Sequence, residues 1–178
     1  MIFTEMLGGS FIVDPEPHED ARGSFSRIFC KDEFSVHGLD STIVQSNLAL
    51  SYQLGTLRGL HYQIAPALES KVVRCIRGAI FDVIVDMRPG SPSYLQHLAV
   101  KLSAENRRAL YVPEMFAHGY QTLTSDAEIM YQVSASYSPE DERGVRYDDP
   151  ALGIDWPLPV TVISEKDQAW PLIQSRTS

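Results

Sequence analysis

Positive charge is in short supply in this sequence. Its 15 Lys and Arg are set against 23 Asp and Glu, a formal net charge of −8. A nucleic-acid surface needs a basic stripe to neutralise phosphates, so that class of partner is excluded. A small phosphorylated ligand is not, because a few converging cations make a local positive pocket on an acidic protein. Cysteine is scarcer still: Cys30 and Cys75 have neither a metal-type spacing nor the pattern of a disulfide scaffold. No apolar run approaches the roughly 20 residues that span a bilayer, so no membrane partner is expected. The start Met1-Ile2-Phe3-Thr4-Glu5 has no basic residue ahead of an apolar core. No secretory leader is expected from it, and a cytoplasmic location is.

Several chemical signatures are missing too. There is no Gly-x-Ser-x-Gly elbow for a serine nucleophile and no glycine-rich phosphate loop. Cys75 falls in the middle of an apolar run, where a buried and inert thiol is the usual case. His61, His97 and His118 invite a metal reading, but no His-x-His occurs and the position two after His61 is Gln63. The spacing assembles no ligand set, and no metal is expected.

Long amphipathic periodicity is absent as well, which argues against a core helix. What is present is a series of short β-type runs with turn residues between them. Phe11-Ile12-Val13 closes at Asp14-Pro15-Glu16-Pro17. Lys71 to Ile76 ends at Arg77-Gly78, and Ala79 to Asp86 ends at Arg88-Pro89-Gly90. Tyr94 to Leu102, Leu110 to Pro113, Gly119 to Leu123 and Glu128 to Val133 follow. This pattern predicts an all-β sandwich or barrel. Asp32 to Gly38 is expected to form a helical turn or two, with Asp32 as cap and Gly38 as stop. From Tyr137 onward turn residues and prolines predict an irregular C-terminal segment. At 178 residues, with no repeat and no linker, residues 1–178 are read as one domain.

The chain is organised around Leu57-Arg58-Gly59-Leu60-His61-Tyr62-Gln63. Arg58 and His61 are three apart, so strict alternation would send them to opposite faces of a strand. Gly59 between them can relax this by forming a bulge. With both in one cavity, a fixed positive charge would sit beside a group that titrates near neutrality. Lys71, His118, Tyr131, Tyr137 and Asp167 complete a polar set. A histidine base, a donor for a developing oxyanion and a tyrosine acid are what proton abstraction beside a carbonyl requires. Singly, each has an ordinary structural role open to it: Lys71 at a solvated strand start, His118 in the core, Tyr131 as a packed aromatic. Spacing alone does not bring them together.

Five motifs in order resemble the dTDP-4-dehydrorhamnose 3,5-epimerase family. They are Leu57 to Gln63, Lys71-Val72-Val73-Arg74, Val112 to Gly119 (Val-Pro-Glu-Met-Phe-Ala-His-Gly), Tyr137-Ser138-Pro139-Glu140 and Ser164-Glu165-Lys166-Asp167. The resemblance extends from Phe11 to Pro171. It implies a cupin-type jelly-roll barrel, a homodimer, a nucleotide-sugar substrate, no cofactor and a place in dTDP-rhamnose biosynthesis for cell-surface polysaccharide. By the same resemblance His61 is the base, Asp167 the carboxylate that orients it and favours its charged form, and Tyr131 the proton donor on the other face of the sugar. Lys71 and His118 fall near the C4 oxygen. Arg22, Gln45, Asn47, Arg58, Glu142 and Lys166 match positions that bind the sugar nucleotide, and Tyr137 matches the aromatic that stacks on the base.

Three departures stand out. Arg27 occupies a nucleotide-contacting position where many members carry Glu, which replaces an acceptor with a donor-only cation. Gln45-Ser46-Asn47-Leu48 keeps only part of the usual Gln-Asp-Asn-His run. Met115 replaces a frequent Gly, so a turn there must avoid positive φ or carry strain. Inversion of a single centre, a different nucleotide such as CDP, a binding-only sugar cupin and a metal-dependent oxygenase are the rival readings.

Overall fold

A computed structural model describes residues 1–173. These residues form thirteen strands and two short α-helices: β1 (Ile2–Glu5), β2 (Phe11–Asp14), β3 (His18–Asp20), β4 (Gly23–Phe25), α1 (Lys31–Val36), β5 (Gln45–Ser51), β6 (Leu57–Gln63), β7 (Lys71–Arg77), β8 (Ala79–Asp86), β9 (His97–Ser103), β10 (Ala109–Val112), β11 (Phe116–Thr122), β12 (Ala127–Val133), β13 (Glu142–Gly144) and α2 (Glu165–Gln168). The larger sheet has six strands in the order β1-β2-β10-β7-β12-β5, and the smaller has five in the order β13-β6-β11-β8-β9. The jelly roll is therefore two facing sheets, not one closed hydrogen-bonded ring. The hairpin β3–β4 stands apart as a third, two-stranded sheet.

Strand sequence explains which face each residue takes. In β8, Ile80 and Ile84 meet Val73, Leu110 and Ile129 of the larger sheet, with Leu102 and Phe116 beside them. Val83 and Val85 point the other way, into a cluster with Leu60, Ala117, Val145 and Leu152. Burial on both faces is why this run is almost continuously apolar. Each such Leu, Ile, Val or Phe contributes roughly 1.5–3 kcal/mol on leaving water. The irregular C-terminal segment is thus a cover: Ile154 and Trp156 pack onto the outer face of the smaller sheet. Phe34 of α1 does the same on the larger sheet, against Val13, Ala109 and Tyr111.

Two details differ from expectation, the cap of α1 and the start of β9. The N-cap of α1 is Cys30, not Asp32, and makes no side-chain cap bond; Asp32 lies in the first turn, where a carboxylate still favours the N-terminal end. Gly38 does follow the helix with φ 71°. The run expected from Tyr94 pairs only from His97, because Tyr94 belongs to a turn in which its N–H donates to Ser91 O at 3.1 Å. Met115 takes φ 60° ahead of β11, a conformation disfavoured for a residue with a Cβ.

Candidate active site

At one end of the sandwich the inner faces become polar, and a cavity of about 730 Å³ opens between the sheets. The β6–β11 pair shows how. His61 lies opposite His118 and Arg58 opposite Tyr120, so three steps on β6 match two on β11. The extra residue is the bulge that brings Arg58 and His61 into one cavity. Gly59, at φ 116°, is confined to glycine: a Cβ there would lie 2.5 Å from Gly119 Cα and 2.7 Å from His118 O.

His61 Nε2 is 2.6 Å from Asp167 Oδ1, and the Gly59 N–H donates to Asp167 Oδ2 at 3.1 Å. Asp167 is carried by α2, whose N-cap Ser164 accepts from the Asp167 N–H at 3.1 Å. Burial alone would raise the Asp167 carboxyl, but the hydrogen bond and charge of His61, with Gly59 and Ser164, bring it below the usual range. The pairing engages one ring nitrogen, Nε2, and leaves Nδ1 outside it. Trp170 packs edge-on to His61 at 6.1 Å between ring centroids. Gly144 makes room for it, since a Cβ there would lie 2.2 Å from the indole.

A second histidine–carboxylate pair lies on the same sheet. His118 Nε2 is 2.8 Å from Asp82 Oδ1. Asp82 is fully buried, and burial raises its carboxyl despite the opposing pull of His118. The other oxygen of Asp82 and the Tyr120 hydroxyl have no hydrogen-bond partner among the described residues.

The facing wall comes from the larger sheet. Tyr131 of β12 sits between Asn47 of β5 and Val73 of β7, and Val133 sits between Gln45 and Lys71. Lys71 pairs with Glu69, and both side chains are about nine-tenths buried. Burial raises the Tyr131 phenol; the Arg58 charge lowers it and the Glu69 charge raises it. At the rim, the Tyr137 hydroxyl donates to Glu142 Oε2 at 2.8 Å, and Lys166 pairs with the same carboxylate. Gln45 Oε1 accepts from the Tyr137 N–H at 3.1 Å.

His61, Asp167, Tyr131, Gln45, Asn47, Arg58, Lys71, His118, Tyr137, Glu142 and Lys166 therefore line one cavity. Arg22 and Arg27 do not. Arg22 pairs with Asp20 on the β3–β4 hairpin, and Arg27 donates to Glu33 Oε1 at 3.0 Å. Sequence reasoning missed Glu69, Asp82, Tyr120 and Trp170. Of these only Glu69 left a signal, as a carboxylate two residues ahead of the strand-start lysine. No group of three or more His, Cys, Asp or Glu side chains suited to a metal ion occurs among the described residues. No helix among them is long and apolar enough to cross a membrane.

Residues 4–175 match the family model described as dTDP-4-dehydrorhamnose 3,5-epimerase. The dTDP-4-dehydrorhamnose 3,5-epimerase of Sinorhizobium fredii is 48% identical over 161 residues, covering 90% of this chain and 83% of that protein. Among solved structures, the dTDP-6-deoxy-D-glucose-3,5-epimerase of Legionella pneumophila, in complex with dTDP-4-keto-L-rhamnose, is similar with a TM-score of 0.89 at 38% identity. That match covers 96% of this chain and 92% of the other. A 3'-monoepimerase from Streptomyces bikiniensis, in complex with dTDP-quinovose, is similar with a TM-score of 0.86 at 35% identity, covering 95% and 87% of the two chains.

Proposed function

The chain belongs to the dTDP-4-dehydrorhamnose 3,5-epimerase family, and we propose that it inverts C3 and C5 of dTDP-4-dehydro-6-deoxy-D-glucose to give dTDP-4-dehydro-L-rhamnose. One observation carries this reading: His61 and Tyr131 face a single cavity from opposite sheets. A C4 ketone acidifies the protons on C3 and C5. His61, oriented by Asp167, removes one of them. The resulting enolate places its charge on the C4 oxygen, between Lys71 and His118. Tyr131 returns a proton from the other wall, which inverts the centre. A base acting alone would only restore the starting configuration. Every step uses side chains of this chain, and no cofactor takes part.

Tyr137, Gln45, Asn47, Glu142, Lys166 and Arg58 bind the sugar nucleotide in this reading, with Tyr137 stacking on its base. The enzyme works in the cytoplasm as a homodimer, each subunit one domain over residues 1–178, and supplies dTDP-rhamnose for cell-surface polysaccharide. Dimerisation is supported by exposed apolar side chains on the outer face of the larger sheet, Leu48 at 64% and Leu50 at 37%. Arg22 and Arg27 of one subunit then serve the nucleotide end of its partner's cavity. Light scattering on the purified protein tests the dimer, and a monomer would remove that role for both arginines.

Incubation with dTDP-4-dehydro-6-deoxy-D-glucose in D₂O, followed by NMR, tests the reaction. Deuterium at C3 and C5 in an L-configured product is expected. Label at C3 alone would favour the single-centre reading, to which the monoepimerase likeness lends support. Absence of label with this and a CDP-linked substrate would favour a binding-only protein.

A further inference from the structure

Glu69 has no part in the mechanism above, although it lies in the same cavity. A buried anion is a cost in a site that must accept a nucleotide diphosphate and stabilise an enolate. Its position suggests what offsets that cost. Glu69 pairs with Lys71 where only 9% of its side chain and 11% of the lysine's are exposed. Lys71 lies opposite Val133 and Tyr131 opposite Val73, so Lys71 and Tyr131 project from the same face as diagonal neighbours. The Glu69 charge also reaches the Tyr131 phenol.

We propose that Glu69 is a positioning residue of this site, holding Lys71 on the tyrosine wall and keeping Tyr131 in its acid form until the enolate takes its proton. The inference rests on the epimerase reading for its purpose, though not for its test. In the step it serves, the Tyr131 O–H bond breaks as the new C–H bond forms, leaving a phenolate. The Arg58 charge favours that phenolate, and Lys71 is its diagonal neighbour on the same wall. Glu69 is the opposing charge on the tyrosine wall. His61, Tyr62, His118, Tyr120 and Glu142 are the other titratable groups facing this space from the smaller sheet, with Tyr137, Lys166 and Asp167 beside them. Burial acts in the same direction as Glu69.

The test is an ultraviolet absorbance titration of the Tyr131 phenolate, its signal identified by difference against Tyr131→Phe. Removal of the carboxylate charge in Glu69→Gln favours phenolate, so the midpoint is expected to fall by about one pH unit. The alkaline limb of kcat should move with it, by about tenfold in turnover at high pH, with KM for the dTDP-sugar changed less than about twofold. Lys71→Met removes a cation and should move the same midpoint upward. An unmoved midpoint in Glu69→Gln, or movement in the same direction in both variants, would overturn the proposal. If the parent exchanges no deuterium into substrate the epimerase reading fails instead, and the absorbance titration still decides what Glu69 does.

Discussion

The two walls of the cavity are built on different principles. On the smaller sheet both histidines of the cavity are held by carboxylates, His61 by Asp167 and His118 by Asp82. Orientation there is set by short, directional bonds. On the larger sheet Tyr131 has no such tether among the described residues; burial and Glu69 raise its phenol and Arg58 lowers it. A base must present one ring nitrogen along one line. An acid must stay protonated until the enolate forms and then let go. If His61 is the base and Tyr131 the acid, as proposed, this site fixes the first by geometry and the second by electrostatics.

The largest effect should come from breaking the tethered wall. His61→Ala is expected to lower turnover by about 10³-fold, within the range for loss of a general base, and Asp167→Ala should follow the same direction. Substrate affinity should change much less. Loss of binding with intact single-turnover chemistry would reverse those roles. Breaking the other wall should look different in kind. Tyr131→Phe leaves the base in place, so deuterium should still enter the substrate while inversion falls by about 10²-fold. Equal loss of exchange and inversion would mean that one wall does both jobs.

Smaller effects sharpen the distinction between chemistry and grip. Tyr137→Ala should raise KM by about tenfold through lost stacking on the nucleotide base, with kcat held; a change in kcat alone would contradict a binding role. Ser164→Ala removes the N-cap of the helix that carries Asp167 and should cost about 1 kcal/mol of stability. In a domain of this size that is a fall in Tm of about 2–4 °C, measured by thermal unfolding.

Much of the smaller sheet was legible in the sequence. Arg58-Gly59-Leu60-His61 contains its own bulge, because a glycine between two polar residues at odd spacing is a local signal. The β-runs and the turn at Gly38 are local in the same sense. Asp82 was not legible: in Ala79 to Asp86 it is one polar residue in an apolar run, and its partner His118 is on another strand, 36 residues away. Glu69, two residues ahead of β7, reaches Tyr131 of β12 only because those two strands pair, which no spacing along the chain reveals. The positions of Arg22 and Arg27 away from the cavity were equally hidden, since a matched motif position does not say which surface a hairpin presents.

Asp167 lies 106 residues beyond the histidine it orients and arrives on a short helix at the end of the irregular cover. On the ribosome, β6 and its histidine are made long before that helix emerges. The sandwich can begin to pair its strands while the base still lacks its carboxylate. On the proposed roles, chemical competence has to wait for a helix made 106 residues after the histidine it serves.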